Sequence, residues 1–258
     1  MSAYSNLLLN DEDGVRYIAL NRPEKKNSVT PELAVDLRSA LADAQDDDSV
    51  RVVVVHGAGD TFCAGADLNV FLAIGRGELE GPMKVGTLHR HLRDFPKPLI
   101  AAVHGQAVGM GVTLLPHFDM VYAADDASFL TPFVRLGLVL EFGSSFTLSR
   151  LIGRQRANEL IMGARPLDAP TAESWGLVNR VFPAADLLAG VGQIAANLAT
   201  LPPVAVGACK GLIRRGEEST LEDSITREDE TLSQFYGSEE NLRAVQAFLE
   251  SRRRPQSD

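Results

Sequence analysis

At 258 residues, with 45% hydrophobic and 23% charged side chains, the chain has the composition of an ordinary globular protein with room for a substantial core. A formal charge of −9 argues against a nucleic-acid surface, which needs a basic stripe to neutralise phosphates. No run of about 18 apolar residues offers a membrane span, and Met1-Ser2-Ala3-Tyr4-Ser5-Asn6 lacks the basic-then-apolar layout of a secretory signal. Two cysteines, Cys63 and Cys209, give no disulfide framework, so a reducing, cytoplasmic location is expected.

In chain order, Leu7 to Leu9 and Val15 to Leu20 read as paired strands about the turn Asn10-Asp11-Glu12-Asp13-Gly14. Thr30-Pro31-Glu32 starts a helix, with a capping hydroxyl followed by proline where a missing N–H costs nothing. Leu33, Leu37, Ala40 and Leu41 then mark its buried face. Val52 to Val55 is a continuous β-branched run that suits a strand covered on both sides. Leu99 to Val103 repeats the pattern, and Met120 to Ala123 is a shorter third candidate. From about Gly153 the pattern turns helical, apart from a strand-like Leu177 to Phe182. Ala185 to Leu198, Val204 to Arg214, Leu221 to Phe235 and Glu239 to Arg252 each carry an apolar stripe beside a charged face. Strands alternating with helices predict an α/β core over residues 1–200, with a helical region over 201–258.

Two glycine-rich segments follow buried strands. In Phe62-Cys63-Ala64-Gly65-Ala66-Asp67-Leu68, small residues permit close backbone approach, and Asp67 can cap a helix. A capped tight turn and an anion-binding set of amides both fit this pattern. His104-Gly105-Gln106-Ala107-Val108-Gly109-Met110-Gly111-Val112-Thr113 opens an apolar helical stretch, whose first amides favour negative charge on an oxygen. Its spacing is not the G-x-G-x-x-G of a dinucleotide site, and close helix–strand packing explains such glycines equally well.

Taken together, FCAGADL, KPLIAAVHGQAVGMG and GRQRANELIMGARPLDAPTAESWGLVNRVFP resemble the signatures of the crotonase (enoyl-CoA hydratase/isomerase) family. The likeness runs from Ala19-Leu20-Asn21-Arg22-Pro23 to Ala247-Phe248-Leu249-Glu250. It implies the crotonase fold, a right-handed ββα spiral with a helical C-terminal region that makes trimers or dimers of trimers. It also implies an acyl-CoA thioester as substrate, no cofactor beyond the coenzyme A that the substrate carries, and two backbone amides on the thioester oxygen. Those amides fall on Ala66 and Met110, with Ala64, Gly65, Asp67, Leu68 and Gly109 beside them. Lys25, Lys26 and Phe248 correspond to positions that approach coenzyme A.

The two glutamates of the family's hydratases correspond here to Thr113 and Phe133, and a hydroxyl is a poor base near neutral pH. Glu141, between Leu140 and Phe142, instead resembles the single glutamate of peroxisomal-type Δ3,Δ2-enoyl-CoA isomerases. Burial would raise its pKa, while the helix start expected at Gly143-Ser144-Ser145 would act oppositely. The expected reaction is allylic isomerisation of a 3-enoyl thioester. The alternatives are hydration by Glu141 with an ordered water, or acyl-CoA binding without chemistry. Pocket walls are expected from Phe71 to Leu92 and from Leu130 to Phe142. His89 and His91 lack the i, i+4 spacing of a zinc pair, His104 and His117 read as packing or cap residues, and Cys63 as a small buried side chain.

Overall fold

The computed structural model describes residues 4–78, 85 and 87–253. Part of the wall expected between Phe71 and Leu92 therefore lies outside the described residues, at 79–84 and 86. The chain divides into two compact units, Met1–Phe95 with Leu99–Ala199, and Pro96–Pro98 with Thr200–Asp258.

The first unit is built on a hairpin of β1 (Leu7–Glu12) and β2 (Val15–Leu20), closed by a turn with Gly14 at φ +78°. Helix α1 (Pro31–Asp46) follows, its first turn closed by Thr30, whose Oγ1 accepts from the Leu33 amide at 3.3 Å. Strands β3 (Val52–Gly57) and β4 (Leu99–Val103) then add in parallel to β2. Between them lie α2 (Leu68–Gly75) and α3 (Leu88–Asp94). Strand β6 (Met120–Ala124) pairs with β4, and β9 (Arg180–Phe182) with β6, giving the six-stranded order β1-β2-β3-β4-β6-β9. A smaller sheet joins β5 (Gln106–Val108), β7 (Ser128–Leu130) and β8 (Leu167–Asp168).

The β-branched runs behave as their lack of alternation requires. Val53, Val55, Leu99, Ala101 and Val103 enter one core with α1, whereas Val52, Val54, Ile100 and Ala102 enter a second core with Leu187, Val191 and Ala195. Those last three residues belong to α8 (Leu187–Ala199). A strand buried on both faces can be apolar at every position, which is why the sequence shows no period of two there.

Two expectations are corrected. The apolar helix after the second glycine segment is a single turn, α4 (Met110–Thr113), followed by a 3-10 turn at Leu115–His117. Pro116 lies in that turn and has no N–H with which to continue the α ladder. The strand read over Leu177 to Phe182 contracts to β9. Leu177 and Val178 instead direct their amides to the Ala172 carbonyl, closing α7 (Ala169–Trp175) through Gly176 at φ +82°. The remaining helices of this unit are α5 (Ser144–Leu151) and α6 (Arg154–Gly163).

The second unit contains α9 (Pro203–Gly216), α10 (Leu221–Phe235) and α11 (Glu239–Arg253). This unit keeps large apolar side chains exposed, among them Ile213, Leu221, Leu242 and Phe248 on its helices and Tyr236 just after α10. Among the described residues no single helix is long and apolar enough to cross a membrane.

Candidate active site

The two glycine segments are stitched together by backbone. The Cys63 amide donates to the Gln106 carbonyl at 3.0 Å, and the Val108 amide donates to the Cys63 carbonyl at 2.9 Å. Val29 bridges to Ala66 in the same way, through Val29 N to Gly65 O at 2.7 Å and Asp67 N to Val29 O at 3.1 Å. Glycine is obligatory at two points of this seam. A Cβ on Gly65 would stand 2.4 Å from the Val108 carbonyl oxygen, and one on Gly111 would stand 2.4 Å from the Cys63 carbonyl oxygen. The same Cβ on Gly65 would stand 3.3 Å from the Met110 nitrogen, so the segments carrying Ala66 and Met110 are side by side.

Neither of those two amides donates to a partner among the described residues. The bridge to Val29 uses the groups flanking the Ala66 amide, and Met110 opens α4, where no intrahelical acceptor exists. Both donors line a cavity of about 500 Å³. A carbonyl oxygen placed there would meet two oriented dipoles in a largely apolar enclosure, which is where such dipoles are strongest.

Of the residues expected at the site, Ala64, Gly65, Ala66, Leu68, Gly109, Met110, Phe133 and Glu141 all line this cavity. Thr113 lies behind the wall, fully buried, with its hydroxyl donating to Glu141 Oε1. Asp67 is committed elsewhere: its Oδ1 accepts from the Asn69 amide at 3.1 Å to cap α2, and its Oδ2 lies 3.7 Å from the Arg22 guanidinium. Lys25 and Lys26 are exposed, and the Lys26 carbonyl accepts the Ala64 amide at 2.9 Å, which ties that turn to the first loop. Phe248 belongs to the second unit, on α11, with the Arg252 guanidinium 4.7 Å from its ring centre.

Glu141 is half-buried. Burial raises its pKa above the usual glutamate value, while the hydrogen bond from Thr113 pulls the other way and is outweighed. Its backbone is tied down on both sides. The Glu141 carbonyl accepts from Ser144 N at 3.0 Å and from Ser144 Oγ at 2.7 Å. The next residue, Phe142, takes the left-handed conformation (φ +58°), and its carbonyl accepts from His117 Nε2 at 2.9 Å.

Val85 and His89 fall within the wall expected from Phe71 to Leu92, whereas sequence reasoning missed Val108 in the cavity wall and the grip of His117 on Phe142. No local signal marks these two, because Val108 is placed by its pairing with Leu130 and His117 meets Phe142 only through the tertiary fold. Of the other histidines, His104 lies 3.1 Å from the Gly59 carbonyl through Nε2. No cluster of three or more metal-ligating side chains occurs among the described residues. Cys63 is fully buried, which pushes its thiol up to about 12 and leaves no nucleophilic thiolate.

Residues 10–257 match the enoyl-CoA hydratase/isomerase family. The chain belongs to that family. It is 38% identical over 247 residues to enoyl-CoA delta isomerase 2 of Rattus norvegicus, covering 94% of this chain but only 63% of the rat protein. It is 36% identical to the 1,2-epoxyphenylacetyl-CoA isomerase of Escherichia coli (strain K12), covering 97% of both chains. The crystal structure of an enoyl-CoA hydratase from Polaromonas sp. JS666 superposes with a TM-score of 0.88 at 31% identity, covering 95% of this chain and 97% of that one. The fold is the crotonase fold, an α/β core with a helical C-terminal region.

Proposed function

We propose that this family member converts 3-enoyl-CoA thioesters into trans-2-enoyl-CoA. One observation carries the reading. Glu141 is the only carboxylate in the cavity wall among the described residues, while the positions of the two hydratase glutamates hold a buried threonine and a buried phenylalanine. The ionised Glu141 removes a proton from C2, the electrons move onto the thioester oxygen, and the Ala66 and Met110 amides hold the resulting dienolate. The same carboxyl returns the proton at C4 as the double bond moves from C3 to C2, so no water is consumed and no second base is needed. A raised pKa suits a group that must both take and return a proton near neutral pH. No cofactor is required beyond the coenzyme A of the substrate. We further propose that the exposed apolar faces of α9 to α11 bury themselves against other copies, as a trimer or a dimer of trimers.

The test follows conjugated-thioester absorbance with 3-enoyl-CoA and, separately, with 2-enoyl-CoA. A rise with the first substrate, abolished in Glu141→Gln, is the expected result. A fall with the second would make the protein a hydratase. Tight binding of both thioesters with neither signal would make it a non-catalytic binder.

A further inference from the structure

One polar side chain in the cavity wall has no part in the proton transfer. His89, on α3, stands in the wall among Leu68, Phe71, Phe133 and Phe142. It contacts two rings there. It meets Phe142 edge-on, with centroids 5.8 Å apart at 75°, and is tilted against His117 at 6.4 Å. Neither of its ring nitrogens makes a hydrogen bond to any described residue. Desolvation and the nearby Arg90 and Arg93 lower its pKa, so the ring is neutral at pH 7 and offers one N–H donor and one lone-pair acceptor. The ring is partly buried and opens onto the cavity, so an apolar acyl group seated against it would strip water from both nitrogens and leave them unpaired, a cost that a polar atom on the ligand offsets. The ring is also oriented in advance, because Phe142, which it abuts, is held through its carbonyl by His117.

We propose that His89 determines substrate class by hydrogen-bonding an oxygen, hydroxyl or carbonyl, on the acyl group of the thioester. The natural substrate is then an oxygen-bearing acyl-CoA rather than a plain hydrocarbon one. This rests on the cavity being the acyl pocket, and not on what Glu141 does there. A site built around a polar group discriminates against an analogue that leaves the group unpaired, here by about 10- to 100-fold in affinity.

The experiment measures dissociation constants calorimetrically for matched thioesters that carry no isolated alkene. One set compares phenylacetyl-CoA with its 3- and 4-hydroxy derivatives, and the other compares hexanoyl-CoA with 6-hydroxyhexanoyl-CoA. The wild-type protein should favour a hydroxylated member of at least one set by about tenfold or more. His89→Phe, which keeps a ring and removes both nitrogens, should bring that ratio close to one. His89→Gln, which restores a donor and an acceptor, should recover part of it. Equal affinities throughout both sets, or a preference that survives in His89→Phe, overturn the proposal. None of these thioesters can isomerise, since the hexanoyl chains hold no double bond and the phenyl rings would lose their aromaticity. A His89-dependent preference in a protein without isomerase activity would therefore refute the reaction alone, and an active isomerase without preference would refute this proposal alone.

Discussion

Replacing Gly65 by alanine is the most searching perturbation of the oxyanion seam. The residue has φ +83°, and an alanine held in that region costs about 1–2 kcal/mol. Its Cβ would stand 2.4 Å from the Val108 carbonyl oxygen, so the two loops must part by about 1 Å to reach ordinary contact. That movement falls on the segments carrying both amide donors. A displacement of about 1 Å costs on the order of 100-fold in rate, and full loss of one oxyanion donor costs about 100- to 1000-fold, or about 2.7–4 kcal/mol. The expected result is a kcat reduced about 100-fold or more with KM little changed, because the donors act most strongly on charge that develops in the transition state. The assay is steady-state isomerisation of 3-enoyl-CoA, with thermal unfolding run in parallel. Gly163→Ala serves as control, since a Cβ there meets nothing within 4 Å and the position ends α6 outside the cavity. A folded Gly65→Ala protein with kcat within about threefold of wild type would refute the role of the seam.

The remaining predictions concern charge and assembly. Burial holds Glu141 above the usual glutamate pKa, so the acid limb of the rate should lie at higher pH than an exposed glutamate would give. Thr113→Val removes the hydrogen bond that lowers this pKa, and the limb should move higher still; a limb that stays put or moves down would contradict the assignment. The same shift bears on stability. A folded-state pKa above the unfolded value favours folding below the unfolded pKa, and that contribution is lost as pH rises through the folded value. Glu141→Gln carries no charge to bury, so its melting temperature should exceed that of wild type at about pH 8, with the margin shrinking toward about pH 4. Light scattering during size exclusion should give three or six copies, and Leu242→Asp or Tyr236→Asp should shift the distribution toward monomer. Monodisperse monomer in the wild type would refute self-assembly through this region.

Much of the first unit was legible because its signals are local. Val52 to Val55 and Leu99 to Val103 announce strands buried on both faces, and Thr30-Pro31 announces the start of α1. The small sheet was not legible: β5 and β7 have three residues each and β8 has two, too few for any period to show. Their pairing depends on neighbours distant in sequence, as when Ala107 meets Phe129. At the site, the glycines announced themselves by their number and by the strands they follow. His89 fell in the stretch expected to line the pocket but was not singled out, because a single histidine on a short helix carries no pattern and its ring contact with Phe142 is tertiary. The direction of the Glu141 shift also needed the fold, since only the packed structure sets how far its carboxyl is desolvated and brings Thr113 to it.

Met110 illustrates a separation of duties within the seam. Its side chain is buried and contributes to the shape of the cavity, while its amide is one of the two donors. A backbone N–H is indifferent to the identity of the residue that bears it, so long as the ladder between Cys63 and Ala107 keeps its register. Substitutions at such a position can reshape the acyl pocket without dismantling the charge-stabilising centre. Selection can therefore revise what the cavity accepts through side chains at Met110, Phe71, Phe133 or His89, while the two amides in its wall pass through unchanged.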